Sequence, residues 1–453
     1  MIHSKPLRVA FVTLGCAKNE VDSDKMRAAL AASGFDFVDK PGLADCLVIN
    51  TCAFITEATE ESIAAILEAA ELPEVINGQC KLVVAGCLPS RYADNLDGNL
   101  PEVVAFVPVG DEAGIAKIIA GLFDGYTIEA APTTTMHKTQ QSSRLRLPAA
   151  QNPWAYLKIA EGCSRHCSFC TIPKIRGPYT SYPIDVLLAE SDELIANGAR
   201  ELVLIAQDTG LWHDGELGLP ELLSLLAERY PDVWLRMMYL EPSGVTDKLL
   251  NVMAEHANIC KYLDIPLQHA NQKVLQNMNR SGSGDEFLLL TKKIRDKMPD
   301  VTLRTTLIAG FPGETRAEAL ELERFVTAAQ FDYIGVFAYS QEEGTLAGER
   351  TDQVPRRTRL ARAQRLRDLA DAIGHQRVAA RIGQTLSVLV TEYEDGRPIG
   401  RTQGQAPEVD GIVRLSQGSP GELVAARISD SLCYDLDGEL IYTSEDRPEG
   451  GAR

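Results

Sequence analysis

Three cysteines lie within eight positions in the segment EGCSRHCSFCTIPKIRG, residues 161–177. Cys163, Cys167 and Cys170 follow the spacing C-x3-C-x2-C, so they offer three thiolates where a tetrahedral metal takes four ligands. An iron–sulfur cluster suits thiolates that are this closely spaced. Because a fourth iron without a protein ligand is free to bind a small molecule, we expect a cluster that performs chemistry rather than one that stores electrons.

Two other uses of these cysteines compete with a cluster. Structural zinc usually takes paired C-x2-C units or closing histidines, and although His166 lies between the cysteines, no second Cys/His pair follows at zinc-finger spacing. A disulfide framework is unusual in a chain of this size. The ligand rules favour a cluster over both alternatives.

A second set of three cysteines is distributed over three predicted strands. LRVAFVTLGC, DCLVINTC and KLVVAGC each have the composition of a buried strand, and each ends on a cysteine. Helix-like segments separate them, which predicts a parallel α/β domain. Since ligands gather at the carboxyl ends of strands in such sheets, Cys16, Cys52 and Cys87 should converge at one edge and hold a second cluster with one open iron.

The remaining four cysteines have no such pattern. A single cysteine is most often a small buried hydrophobic side chain. We therefore expect Cys46, Cys80, Cys260 and Cys433 to serve packing.

The elements that position the first cysteine set form the middle of the chain. Six apolar segments alternate with helix-like ones and predict six βα units, a partial barrel with its active residues at the C-terminal mouth. These segments are WAYLKIAEGC, ELVLIAQ, WLRMMYL, YLDIPLQ, TLRTTLIAGF and YIGVFAYS. The cysteine loop follows the first of them, as that rule requires.

The 453 residues are enough for several domains. Residues 126–150 are rich in Thr, Ser, Gln and Pro without hydrophobic periodicity, which predicts a linker between a domain at 6–125 and the core at 151–382. An arginine-rich helix ends the core. Short alternating segments over 383–446 then predict a small antiparallel β-barrel of the size that binds polymers.

The net charge of −18 is concentrated in the two flanking regions. Residues 1–125 carry 9 basic against 18 acidic side chains, and residues 383–446 carry 4 against 12. An acidic surface repels phosphate backbones and attracts basic partners, but it also serves solubility, and charge alone favours neither use. In the last region we expect this surface to include turn and strand residues, namely Glu408, Asp410, Asp435, Asp437 and Glu439.

The sequence contains no apolar run near the ~18 residues that a membrane span needs. The N-terminal residues also lack the apolar segment of an export signal. We therefore expect a cytoplasmic protein that has no membrane partner and keeps its thiols reduced.

Several motifs carry a family resemblance. The cysteine motif with Phe169 before its last cysteine resembles that of radical S-adenosylmethionine (SAM) enzymes. Over about residues 7–446 the three-domain order resembles the methylthiotransferases of that superfamily, and six segments are similar to the class that modifies an aspartate of a small-subunit ribosomal protein. They are VTLGCAKNEVDSD (12–24), GCSRHCSFCTIPKIRG (162–177), AQDTG (206–210), YLDIPLQHAN (262–271), IAGFPGET (308–315) and FAYSQEEGT (337–345). Glu241 departs from the pattern, which has tyrosine there.

The resemblance implies a fold of three parts. They are a flavodoxin-like parallel α/β domain, a partial (β/α)6 radical SAM barrel and a C-terminal TRAM β-barrel. It also implies two [4Fe–4S] clusters, one on Cys163, Cys167 and Cys170 that binds and reductively cleaves SAM, and an auxiliary one on the strand-end cysteines that presents sulfur. SAM would then be both radical source and methyl donor, and an external reductant such as flavodoxin or ferredoxin would supply electrons.

Other site residues are candidates by position. Gln207, Asp208 and Gln268 lie at strand ends that face the barrel mouth and are candidates for contacts to SAM or substrate. Gly310 and Gly313 follow the fifth core strand, where they either let the backbone approach SAM or make a tight βα turn.

Two alternatives to the ribosomal-protein substrate remain. A tRNA adenosine methylthiotransferase would need a basic C-terminal barrel, because phosphate contacts dominate that affinity, whereas this barrel is acidic. We therefore expect a basic ribosomal protein as partner and no tRNA. A non-catalytic electron carrier with two clusters would cleave no SAM, and the vacant ligand positions argue against it.

Overall fold

The computed structural model describes residues 5–96, 98–124, 126 and 152–441. Apart from Tyr126, the predicted linker lies outside the described residues. Within the described part of the chain, the fold is an α/β domain, a partial barrel and a small β-barrel, which confirms the predicted fold class.

The first domain is a five-stranded parallel sheet of order β2-β1-β3-β4-β5 with helices between its strands. Its strands are β1 (Arg8–Thr13), β2 (Asp36–Phe37), β3 (Cys46–Thr51), β4 (Lys81–Gly86) and β5 (Val103–Pro108). Its helices are α1 (Ala17–Ala32), α2 (Thr56–Ala70), α3 (Pro73–Ile76), α4 (Cys87–Leu96) and α5 (Ile115–Gly121). The central strands β3 and β4 are buried along almost their whole length, as expected for parallel strands with helices on both faces. The order is that of flavodoxin-like sheets.

The second domain contains six parallel strands that curve into a partial barrel. The sheets β6-β9-β12 and β13-β14-β15 are joined by a bridge between Leu235 and Ile259. The strands are β6 (Trp154–Lys158), β7 (Ala160–Glu161), β8 (Thr180–Ser181), β9 (Glu201–Ile205), β10 (His213–Asp214), β11 (Leu217–Gly218), β12 (Trp234–Met237), β13 (Tyr262–Asp264), β14 (Thr302–Ala309) and β15 (Tyr333–Ala338). The helices are α6 (Ile172–Arg176), α7 (Ile184–Ala196), α8 (Leu219–Arg229), α9 (Asp247–Glu255), α10 (Gln272–Asn277), α11 (Gly284–Lys297), α12 (Arg316–Ala329) and α13 (Arg356–Ala379).

The third domain is a closed five-stranded barrel of order β16-β17-β18-β20-β19. Its strands are β16 (Thr385–Glu394), β17 (Arg397–Thr402), β18 (Val413–Leu415), β19 (Leu423–Leu432) and β20 (Asp435–Leu440). All of its pairings are antiparallel except that of β18 with β20, which is parallel.

Alternate residues of the barrel strands face opposite sides. Leu157 and its register partners on the next two strands, Leu204 and Met237, pack against the helices. Tyr156, Val203 and Trp234 face the concave side instead. There they join the core of the third domain and the start of α1. The concave face of the partial barrel is therefore filled by the two flanking domains.

Buried charges fasten the third domain to this concave face. Arg236 is fully buried, pairs with Glu201 at 2.6 Å and donates to the carbonyl of Gln403 at 2.8 Å. Arg401 of β17 reaches the other Glu201 oxygen at 2.7 Å. The Glu201 carboxylate is therefore the ion-pair partner of one guanidinium group from each of the two domains.

The structure corrects two expectations about exposure. Cys433 is exposed, at a positive φ of 56°, in the turn between β19 and β20, so it does not serve core packing. The Asp410 carboxylate is fully buried, where it accepts a hydrogen bond from Tyr262 Oη at 2.7 Å, and Asp435 is paired with Arg414. Asp410 therefore belongs to an internal contact rather than to a free acidic surface, whereas Asp435 is half-buried and its charge is offset by Arg414.

Among the described residues, no helix combines the length and apolar character needed to cross a membrane.

Candidate active site

The cysteines of the first domain converge at the carboxyl edge of its sheet. Cys16 follows β1, Cys52 follows β3, and Cys87 begins α4 directly after β4. The strand order reverses between β1 and β3, which is where α/β sheets of this type bind ligands. Gly15 has a φ of +102°, and a Cβ on it would lie 2.6 Å from the Cβ of Cys52, so the close approach of the two loops requires glycine.

Asn19 holds the ends of two strands together beneath these cysteines. Its amide nitrogen donates to the carbonyls of Leu14 at 2.8 Å and Thr51 at 2.9 Å. Those carbonyls lie two residues before Cys16 and one residue before Cys52. The side chain therefore fixes the relative positions of two of the thiols.

Two thiols of this site, those of Cys52 and Cys87, are buried, whereas that of Cys16 is exposed. Burial raises the pKa of Cys87 to about 12, although the nearby Arg176 lowers it, and burial also raises the pKa of Cys52. A protonated thiol is neither nucleophile nor ligand, whereas a bound metal deprotonates a thiol outright. The burial of Cys52 and Cys87 therefore fits metal coordination better than covalent catalysis.

The second cysteine set occupies a loop that the short antiparallel pair β7–β8 closes at its base. Gly162 opens the loop at a φ of +74°, and a Cβ there would lie 2.3 Å from the carbonyl oxygen of Pro178. Cys163 N–H donates to the carbonyl of Gly177 at 3.1 Å, and Ser168 N–H donates to that of Met278 at 3.0 Å. These bonds hold the loop at the barrel mouth.

Hydrogen-bond donors face the sulfurs of this loop. The backbone N–H of Arg165 lies 3.4 Å from Cys163 Sγ, and Arg280 lies 3.9 Å from Cys167 Sγ. Burial raises the pKa of Cys170 to about 12. Donors to sulfur stabilise thiolate ligands of iron–sulfur clusters, so both the thiols and their surroundings fit such a group.

Among the described residues, no three His, Cys, Asp or Glu side chains are grouped to hold a single metal ion. The thiolates of an iron–sulfur cluster bind different irons, so the fit rests on the donor chemistry and on the six thiols being free.

Arg176, at the end of α6 in the second domain, contacts the cysteine site of the first domain. One of its nitrogens donates to Asn19 Oδ1 at 2.7 Å and lies 3.6 Å from Cys87 Sγ. The other donates to Asp22 at 3.0 Å and Glu161 at 3.1 Å.

The buried Lys158 adds to this network by binding Asp22 at 2.5 Å and Glu161 at 2.6 Å. Burial alone would raise the pKa of Asp22, but Lys158 and Arg176 outweigh it and lower that pKa. Asp22 is therefore held as an anion where the first domain meets the barrel.

Two of the predicted SAM-contacting residues lie in polar positions at the mouth. Gln207 donates to Glu161 at 3.0 Å, and its Oε1 is buried without a hydrogen-bond partner among the described residues. Gln268 is half-buried at a φ of 71°, and its backbone pairs with Thr306 and Ile308. Asp208, the third strand-end residue, pairs with Arg165 and caps the turn at Gly210.

Gly310 and Gly313 lie in the turn after β14, and the backbone of that turn accounts for glycine at both positions. Gly310 and Gly313 have φ values of +80° and +79°. The N–H of Gly310 donates to Glu314 at 2.7 Å, and that of Gly313 donates to the carbonyl of Asp352 at 2.9 Å. A Cβ on Gly310 would lie 2.5 Å from the side chain of Arg359, so close packing also requires glycine there. Their contact with SAM stays a prediction.

Sequence reasoning missed the residues that link the domains. Arg176, Asn19 and Lys158 lie inside or beside the quoted motifs, but nothing local distinguishes them from exposed polar residues. Glu241, where the family pattern has tyrosine, lies 3.3 Å from Arg165 and 3.8 Å from Arg280. It therefore adds a carboxylate beside the cysteine loop.

Comparison with known families agrees with this architecture. The chain matches the models of "Uncharacterized protein family UPF0004" over residues 8–108, "Radical SAM superfamily" over 157–326 and "TRAM domain" over 382–441. Among solved structures, the radical SAM methyltransferase TsrM from Kitasatospora setae, with tryptophan and a SAM analogue bound, has a TM-score of 0.54 and 14% identity and covers 75% of each chain. That likeness shows the fold.

Curated relatives match nearly the whole chain. Those from Trichlorobacter lovleyi and Sorangium cellulosum are 41% and 42% identical and cover 96% and 97% of this chain and 98% and 92% of their own lengths. One from Geobacter sulfurreducens is 40% identical and covers 96% of this chain and 98% of its own. Each is named ribosomal protein uS12 methylthiotransferase RimO. The chain belongs to the RimO family of methylthiotransferases.

As a RimO-family member with a radical SAM domain, the protein is a radical SAM methylthiotransferase. SAM and a [4Fe–4S] cluster are cofactors of that superfamily, and the RimO-family resemblance predicted from the motifs is confirmed.

Proposed function

We propose that the protein methylthiolates the β-carbon of an aspartate in ribosomal protein uS12, with SAM as radical source and methyl donor. The observation that carries the proposal is the pair of three-cysteine sites, one per domain, with Arg176 of the second domain 3.6 Å from Cys87 of the first. The relatives that match the chain from end to end are named for this substrate rather than for tRNA.

Cys163, Cys167 and Cys170 would hold the cluster that binds SAM. When bound, that cluster and SAM supply the radical that removes a hydrogen atom from the target carbon. The loop's own contribution is position, because the β7–β8 pair and the bond from Ser168 hold it at the barrel mouth. Gln207 and Gln268 would contact SAM from the neighbouring strand ends, with Gly310 and Gly313 in the turn after β14.

Cys16, Cys52 and Cys87 would hold an auxiliary [4Fe–4S] cluster, the source of the sulfur that reaches the carbon. Asn19 fixes two of these thiols, and Arg176 places a positive charge beside the third. Cys52 and Cys87 are buried, whereas Cys16 is exposed at the same edge of the sheet.

The partners follow from charge and chemistry. An acidic third domain suits a basic ribosomal protein in the cytoplasm and disfavours tRNA. A small reductant such as flavodoxin or ferredoxin would supply the electrons. The domain boundaries at residues 125, 150, 382 and 446 stay predictions.

The test uses anaerobically reconstituted enzyme with SAM, a reductant, and either purified uS12 or purified tRNA. We expect mass spectrometry to find a methylthio group on one aspartate of uS12 and none on tRNA. Cys52→Ala should abolish this product, whereas Cys46→Ala, at the opposite end of the same strand, should retain it. A modified tRNA with unmodified uS12 would contradict the proposal.

A further inference from the structure

A buried lysine of the first domain lies over an aromatic ring at the barrel mouth. Lys18 is 7% exposed and follows Cys16 by two residues. Its ammonium lies 3.1 Å from the ring centroid of Tyr239, which comes two residues after β12. Each domain therefore supplies half of this contact, beside one of the proposed cluster ligands.

Lys18 differs from the other buried lysine at the interface. Lys158 is paired with the carboxylates of Asp22 and Glu161. Within the described ranges, no carboxylate lies at salt-bridge distance from Lys18, and the Tyr239 ring is its cation–π partner. Buried charges are usually paired with an opposite charge, so this position suits an anion that comes from outside the chain.

The backbone that presents the ring is itself unusual. Tyr239 has a φ of 63°, a region that bulky side chains avoid. Its N–H donates to Asp264 at 3.1 Å, and its carbonyl accepts from Thr209 N–H at 3.1 Å. Such strain persists where surrounding contacts enforce it, and it is concentrated at binding and catalytic sites.

The surroundings of this contact are acidic. Glu408 of the third domain is exposed and accepts a hydrogen bond from Tyr156 Oη at 2.7 Å. Burial and the nearby Glu408 raise the pKa of the Glu20 carboxyl, so the two acids lie near each other. A basic chain attracted by these acids would find the Lys18 cation two residues from Glu20.

We propose that Lys18, supported by the Tyr239 ring, binds the side-chain carboxylate of the substrate aspartate and thereby selects aspartate for modification. This inference rests on the proposed function. The carbon to be modified is bonded directly to the carboxylate carbon, so an ammonium that holds the carboxylate also positions the reacting carbon. Lys18 lies next to the first-domain cysteines, on the side from which sulfur would arrive.

The experiment measures binding rather than turnover. Two fluorescent peptides copy the substrate loop of uS12, one with the target aspartate and one with asparagine in its place. Their dissociation constants are measured by anisotropy on reconstituted enzyme. Lys18→Gln is compared with Lys117→Gln, which removes the same charge from an exposed position of α5.

Wild type and Lys117→Gln should prefer the aspartate peptide by about tenfold or more, as expected for a desolvated charge pair. Lys18→Gln should weaken binding of that peptide by a similar factor and leave the asparagine peptide within about threefold of wild type. Lys18→Arg, which keeps the charge, should retain the preference. Iron content and circular dichroism of each variant report folding.

Two results would overturn this inference and leave the proposed function standing. One is an unchanged preference for the aspartate peptide in Lys18→Gln. The other is an equal loss of affinity for both peptides in that variant, which would make Lys18 a structural residue. If wild-type enzyme binds neither peptide and does not modify uS12, the proposed function fails and this inference fails with it.

Discussion

The Arg176 guanidinium lies 3.6 Å from the sulfur of Cys87, although the two residues belong to different domains. Arg176 ends α6, six residues after Cys170, so it is part of the structure that carries the core cysteine loop. Its second nitrogen is held by Asp22 and Glu161. A single side chain thus ties the position of one thiol set to the electrostatics of the other.

This contact predicts a change in the redox potential of the auxiliary cluster. Arg176→Gln removes a positive charge and a donor to sulfur, which makes the addition of an electron less favourable. We expect the midpoint potential to fall by about 60 mV, equivalent to about 1.4 kcal/mol for one electron. An EPR-monitored redox titration of the reconstituted protein measures it.

The matched control is Arg324→Gln, which removes the same charge from an exposed position of α12 and should leave both potentials unchanged. Arg176→Lys keeps the charge and should give a smaller shift. An unchanged potential in a correctly folded Arg176→Gln protein would show that the contact does not tune the cluster.

Cysteines at the two ends of β3 and of β4 test the assignment of the strand-end cysteines as ligands of the auxiliary cluster. Cys46 begins β3 and Cys80 precedes β4, whereas Cys52 and Cys87 follow the ends of the same two strands. The reconstituted protein should carry about eight irons in two clusters. Cys52→Ala and Cys87→Ala should lose about half of this iron yet still cleave SAM to 5′-deoxyadenosine, whereas Cys46→Ala and Cys80→Ala should keep all of it.

The complementary variant replaces Cys163, Cys167 and Cys170 together by Ala. It should retain about half of the iron and lose SAM cleavage. Loss of all iron in this variant would contradict two independent sites.

The strand-end cysteines were predictable because the signals for them are local. Each follows a short apolar run, and parallel α/β topology brings the ends of such runs to one edge. The structure places Cys16, Cys52 and Cys87 accordingly. The same reasoning omitted β5, although its segment VVAFVP is apolar, and the two-residue strand β2.

The interdomain contacts were not predictable because they depend on residues far apart in the chain. A single aspartate in a polar segment, such as Asp410, is predicted to be exposed to solvent. In the structure its side chain is enclosed by Tyr262 and Arg304 of the barrel. Arg176 and Cys87 are 89 residues apart. Without the relative placement of the domains, the sequence does not distinguish these buried charges from exposed ones.

Asp410 should contribute strongly to stability. Asp410→Ala leaves Tyr262 Oη and the N–H of Ala406 without their acceptor and removes a buried carboxyl group that lies 3.5 Å from Arg304. We expect a loss of about 3 kcal/mol in the free energy of unfolding, measured by urea denaturation.

Two variants make this loss interpretable. Asp410→Asn retains an acceptor and should lose less than Asp410→Ala. Glu439→Gln, at an exposed position of β20, should change stability by less than about 0.5 kcal/mol. Equal stability of wild type and Asp410→Ala would mean that the third domain is not fastened to the barrel at this residue.

Five exposed acids of the third domain should accelerate binding of the substrate protein. Glu392, Glu394, Asp395, Asp430 and Glu439 are exposed, unlike Asp410. Exposed complementary charges mainly raise the association rate, and salt weakens them because the Debye length falls to ~8 Å at 0.15 M. Replacing these five acids by their amides should slow association with uS12 at low salt and flatten its salt dependence, measured by stopped-flow fluorescence.

Iron content and SAM cleavage without substrate should stay at wild-type levels, because the cysteine sites lie in the other two domains. Wild-type association kinetics in this variant, or equally tight binding of tRNA by the wild-type enzyme, would show that the acidic surface does not select the partner.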